Sequence, residues 1–152
     1  MIDPYKCLHF PYPIGKGNPA EGTGFAPPDQ VIPVARQFIK NWKASFPGGQ
    51  IYVELQCFKE PKILYVNSGF RHIQKESRSP AAIAKRYRFL PCVRELLEKI
   101  TQAPEPTKDG NLMFLGKTAP YNELFKVILG VGELPRGGYG YKLITFYPIN
   151  RK

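Results

Sequence analysis

Acidic residues are scarce in this 152-residue chain: 12 Asp and Glu stand against 22 Lys and Arg, a formal net charge of +10. Asp occurs only at Asp3, Asp29 and Asp109, far apart in sequence. A nuclease that works through Mg²⁺ or Zn²⁺ needs clustered carboxylates or His ligands, and no such cluster is written here. Histidine occurs twice, as His9 and His72, which leaves no HExxH pair. The three cysteines, Cys7, Cys57 and Cys92, form no CxxC pair. That excludes a zinc ribbon or a thioredoxin-type motif. They read as idle or buried thiols, with a disulfide between two of them left open. No GxxxxGK[ST] phosphate loop, GxSxG elbow or HxE…PCxxC deaminase pattern occurs. Neither a metal nor a cofactor is expected. No apolar run approaches the ~18 residues of a spanning helix, and the start of the chain lacks the order of a signal peptide. The expected place of action is the cytoplasm, reached directly or by delivery as the C-terminal part of a larger effector.

What is present is a foldable, basic chain. Hydrophobic residues make up 43% and aromatics 13%, enough to bury a core. The cationic excess points to a polyanionic partner. Residues 1–28 concentrate Pro and Gly and read as an extended arm or linker; 29–152 reads as one domain. Asp29 caps an expected helix over 30–45, in which Val31, Val34, Ala35, Phe38, Ile39 and Trp42 recur at helical spacing, the mark of one buried face. QIYVELQCF and ILYVN read as strands. FRHIQKES reads as a short helix, and Ser79-Pro80 starts a longer one that kinks or restarts at Pro91. LMFLGKT, FKVILGV and GYKLITFYPI close the chain as hairpin-linked strands. That order implies an α+β fold, helices packed against an antiparallel sheet of four or more strands.

RNA can be cleaved without metal, because its 2′-OH is the nucleophile and the protein supplies only a base, an acid and cations. His72 is the candidate base, with Arg71, Lys75 and Arg78 around it. Cations there favour the neutral imidazole that a base requires. The alternative is a half-exposed helix residue hydrogen-bonded to Glu76. The KRYR cluster offers Arg86 and Arg88 beside Tyr87 for phosphate contacts, or is simply a solvated helix face. In KLITFYP, strict alternation puts Leu143, Thr145 and Tyr147 on one side, where Thr145 and Tyr147 point at a phosphate or merely fill a sheet.

FRHI ahead of a helix, then FLGKT, FKVILGVG and YKLITFYP together resemble the barnase–EndoU–colicin–RelE (BECR) superfamily of ribonucleases. The nearest likeness is to phage-borne and polymorphic bacterial toxins, including contact-dependent inhibition toxins, and it covers about 50–150. The resemblance implies metal-independent cleavage of RNA, tRNA in many toxin members, to a 2′,3′-cyclic phosphate. It implies His72 as acid or base, Thr145, Tyr147 and Lys117 as further catalytic groups, and Arg71 as a phosphate ligand. It also implies an acidic cognate immunity protein as partner. A second catalytic His, used by some members, has no counterpart in the matching region, which leaves Tyr147, Lys117 or Glu76 as the acid. Two other readings of the chain stand beside this one: a non-catalytic RNA-binding domain, and an NAD-dependent ADP-ribosyltransferase effector.

Overall fold

Helix α1 (Pro28–Ala44) buries the stripe Val31, Ala35, Ile39 and Trp42; of the periodic set, Phe38 is half-buried and Val34, on the flank of the stripe, is exposed. The helix begins one residue ahead of Asp29, so that carboxylate lies in the first turn, where it meets the positive end of the helix dipole. Gly48 and Gly49 stop the chain with φ of +64° and +70°, a region open to glycine at little cost. The computed structural model describes residues 3–9, 11, 28–76, 79–119 and 122–149.

Strands β2 (Tyr52–Leu55) and β3 (Lys62–Tyr65) follow as an antiparallel pair. Helix α2 (Asn67–Glu76) starts directly after them. Asn67 ties its first turn down: Oδ1 accepts from the Ile51 amide and Nδ2 donates to the Gly49 carbonyl, both at 2.8 Å. Helix α3 (Pro80–Tyr87) opens as expected, with Ser79 Oγ accepting from the Ala82 amide at 3.2 Å. The chain breaks at Arg88–Phe89 and restarts as α4 (Leu90–Lys99), with Pro91 in its first turn, where no amide donor is needed. Two-residue β4 (Glu105–Pro106), then β5 (Leu112–Lys117), β6 (Leu124–Glu133) and β7 (Tyr139–Pro148) complete the elements.

Among the described residues the result is α+β: four helices and a curled mixed sheet, ordered β2–β3–β7–β6–β5–β1, where β1 is Tyr5–Lys6, with β4 also on β5. The closing β5–β6–β7 meander is antiparallel, as the turn signals imply. The sheet as a whole is not, because β3 runs parallel to β7 and β1 parallel to β5. Some seventy residues separate β3 from β7, ample chain for the return crossover that a parallel pair needs. Phe114, Phe125, Val127, Leu143 and Phe146 of the sheet join one buried cluster with Val93, Leu96 and Leu97 of α4. Phe89 stacks on Phe125 at 5.3 Å, and Tyr87 on Phe146 at 6.3 Å. Gly116 makes room for the Phe125 ring, since a Cβ there would fall 2.2 Å from its Cζ. Among the described residues no helix is long and apolar enough to cross a membrane.

Part of the segment expected as an arm joins this sheet. Tyr5–Lys6 form β1 beside Gly116–Lys117, and the Cys7 amide continues the ladder to the Lys117 carbonyl at 2.9 Å. Glu95, buried in α4, then receives the Leu8 and His9 amides at 2.8 and 2.7 Å and the His9 ring Nδ1 at 2.6 Å. Burial opposes its charge, but these donors and the Tyr5 hydroxyl outweigh burial and hold its carboxyl below the ordinary value. Burial and the neighbouring Glu95 push the Tyr5 hydroxyl up to about 12. Cys7 and Cys92 are buried beside this anchor, and all three cysteines are free thiols.

A carboxyl whose folded value is depressed stabilises fully above its ordinary value of 4.5 and loses that contribution as pH falls through the lower one. Glu95→Gln is therefore expected to be less stable at neutral pH. Its melting temperature should also fall less steeply than the wild type's on acidification below 4.5. Thermal melts across that range check it; equal slopes in the two proteins would show that Glu95 does not hold the segment.

Candidate nucleic-acid interface

A β-bulge decides what β7 shows to solvent. Thr145 pairs with Ile128, but the next pair is Leu143 with Leu129, so Ile144 is the extra residue. Strict alternation would put Leu143 on the side of Thr145 and Tyr147. The bulge instead sends Leu143 and Phe146 into the core and leaves Thr145 and Tyr147 on the other face. Gly130 accommodates the displaced Ile144, whose Cδ1 lies 2.6 Å from where a Cβ would be. On β5 and β6 the same face carries Lys117 and Lys126, the alternates of buried Gly116, Phe125 and Val127. Lys126 lies directly across from Tyr147, and Lys142 across from Gly130.

Arg86 of α3 reaches this face at the β7 edge. Its Nη1 donates to Thr145 Oγ1 at 2.7 Å, and its guanidinium lies 5.9 Å from the centre of the Tyr147 ring. Three residues singled out from the sequence thus meet: Arg86, Thr145 and Tyr147. Among the described residues Arg86 has no carboxylate partner, so its remaining N–H donors are available to an anion. Lys117 shares the face but stands two strands away, about 10 Å at ordinary strand spacing.

Helix α2 flanks the same edge. Ser68 Oγ donates to the Leu143 carbonyl at 2.7 Å, and His72, one turn on, shares the helix face that Ser68 presents to β7. The His72 Nε2 stands 3.1 Å from Glu76 Oε1. No hydrogen bond or ion pair joins His72 to Arg86, Thr145 or Tyr147 among the described residues. Arg71 turns toward β3, donating to the Tyr65 hydroxyl at 3.3 Å with its guanidinium 5.9 Å from that ring. Lys75 is exposed in the last turn of α2, and Arg78 lies outside the described residues.

Arg88 does not belong to the surface. It is 3% exposed, and Nη1 and Nη2 donate to the two Glu123 oxygens at 2.7 and 3.1 Å. The break between α3 and α4 turns it inward, so the KRYR motif divides into an outward Arg86 and an inward Arg88. Helical spacing could not show this, because the break is a tertiary event. Lys126 was legible but passed over: in FKVILGV it is the polar alternate among apolar residues. His9 lies with Glu95 on α4. No three His, Cys, Asp or Glu side chains gather as metal ligands would, among the described residues.

No protein-family model, curated protein or solved structure matches this chain.

Removing one partner of a buried, hydrogen-bonded ion pair strands the other charge, at a cost of about 3–5 kcal/mol. Arg88→Met should lose stability on that scale in urea denaturation. A loss under about 1 kcal/mol would mark the pair as solvent-screened.

Proposed function

We propose that the chain is a metal-independent endoribonuclease that lays RNA across the open face of β5–β7. The observation that carries this reading is the Arg86 guanidinium, held by Thr145 over Tyr147 on a face that also bears Lys117 and Lys126. A cation fixed by a hydroxyl, beside an aromatic hydroxyl and unpaired with any described carboxylate, suits a phosphate whose charge grows in the transition state. The net charge of +10 supports a polyanionic substrate, and the likeness to BECR ribonucleases supports RNA, with tRNA as the class.

In this mechanism the ribose 2′-oxygen forms a bond to phosphorus as the bond to the 5′-oxygen breaks. His72 takes the 2′-OH proton, with Glu76 orienting its ring. Arg86 and Lys126 stabilise the phosphorane oxygens. The leaving 5′-oxygen takes a proton from Tyr147 or Lys117, and the product is a 2′,3′-cyclic phosphate. His72 must come within hydrogen-bond reach of the 2′-OH when substrate is seated, because catalytic contacts tighten in the bound complex. An acidic immunity protein covering the same face is the partner this reading implies. Action in the cytoplasm, where tRNA is found, and delivery within a larger effector belong to the same reading.

A second reading, an RNA-binding domain that does not cleave, is favoured by one observation: the His72 ring is engaged by Glu76 rather than by the Arg86 cluster. Incubation with total RNA in excess EDTA separates the two. Discrete fragments from the wild type but not from His72→Ala are expected. RNA retained intact by the wild type would contradict cleavage and leave the binding domain.

A further inference from the structure

The open face carries a second cationic group, away from Arg86. In the parallel register Tyr65 of β3 lies beside Lys142 of β7, and Tyr52 of β2 lies across from Tyr65. Pairing therefore puts both tyrosines on the side of Lys142, the side that also holds Thr145 and Tyr147. The two rings are 5.3 Å apart. A guanidinium sits on each of them: Arg71 is 5.9 Å from the Tyr65 centroid, and Arg136 of the β6–β7 turn is 4.8 Å from that of Tyr52. Lys142 extends over Gly132, its Cδ 3.2 Å from where a Cβ would stand.

Two like charges thus sit on one ring pair, with Lys142 on the same face and leaning toward β6. None is paired with a carboxylate among the described residues. Alternation puts Glu54 on this side too, but on the free edge strand β2, and no ion pair joins it to the three cations. Gathering cations without a counter-ion costs energy, and a bound anion removes that cost. Stacking on a ring also leaves the edge N–H groups of a guanidinium free to donate. A second sign is the Tyr52 hydroxyl, which is enclosed and has no hydrogen-bond partner among the described residues. A buried polar atom without a partner costs energy that a polar partner would remove.

We propose that Arg71 and Arg136, mounted on Tyr65 and Tyr52, form with Lys142 of the adjacent strand a distal phosphate subsite for single-stranded RNA. This rests on the reading of the open face as the RNA interface. Along β7 the stretch from Tyr147 to Lys142 is roughly 15 Å, so the subsite takes a phosphate a few nucleotides from the one at Arg86. The substrate is then an unpaired segment, since a straight run across one sheet face suits a single strand better than a duplex groove. Longer substrates gain affinity from this subsite that a dinucleotide does not.

The test is fluorescence-anisotropy binding of fully 2′-O-methylated RNA, which lacks the nucleophile and stays intact. A dinucleotide and an octanucleotide are compared on the wild type, Arg136→Gln, Lys142→Gln and a charge control, Lys40→Gln on exposed α1. The expected result is a several-fold loss of octanucleotide affinity in the first two variants and a salt slope lower by about one. Dinucleotide affinity, and both affinities in Lys40→Gln, should not change. Unchanged octanucleotide affinity in Arg136→Gln and Lys142→Gln would overturn the subsite, even if the wild type cleaves RNA. Loss in those variants, with unmodified RNA left uncut, would uphold the subsite and end the catalytic reading. A wild type that binds neither oligonucleotide would overturn both.

Discussion

One extra residue in β7 governs how this protein divides its inside from its outside. Without the bulge at Ile144, alternation along the strand would set Leu143 and Phe146 on opposite faces. With it, both enter the core, where Leu143 packs closely over Gly69 and Phe146 stacks on Tyr87. Thr145 and Tyr147 are left on the opposite face, Thr145 buried against Arg86 and Tyr147 half-buried. The same strand anchors α2 through the Leu143 carbonyl and binds β3 in parallel through Tyr141 and Lys142. Core, helix docking and candidate site all hang on the register of this strand.

Charge is sorted with similar economy. Four of the twelve carboxylates hold structure together. Glu123 locks Arg88 between α3 and the loop ahead of β6, and Glu95 holds the segment after β1 through two backbone amides and the ring of His9. Glu98 and Glu76 pair along their own helices with Arg94 and His72. Among the described residues Arg71, Arg86, Lys117, Lys126, Arg136 and Lys142 have no carboxylate partner.

Features set by neighbouring residues were legible in the sequence. The stripe ending at Trp42, the Ser79-Pro80 start, the restart at Pro91 and the β5–β7 hairpins each depend on contacts within a few residues. What was hidden depends on distant partners. Two-residue strands such as β1 and β4 have no periodicity to read, and the parallel pairing of β3 with β7 leaves no mark in either segment. The bulge is invisible because Ile144 is as β-favoured as its neighbours. Of the candidate site, Arg86, Thr145 and Tyr147 are brought into contact, Lys117 only onto the same face, and His72 only onto the flanking helix. Arg88 shows the limit most clearly: the same four-residue cluster sends one arginine to the surface and buries the other.

The central claim is that the outward face of β5–β7 is where RNA lies. Photo-crosslinking with 4-thiouridine-substituted RNA, followed by mass-spectrometric mapping of the attached peptides, tests it most directly. The account predicts crosslinks concentrated on the β7 peptide bearing Tyr147 and the β6 peptide bearing Lys126. Crosslinks confined to α1 or to the segment around His9 would place the RNA on another surface and contradict it.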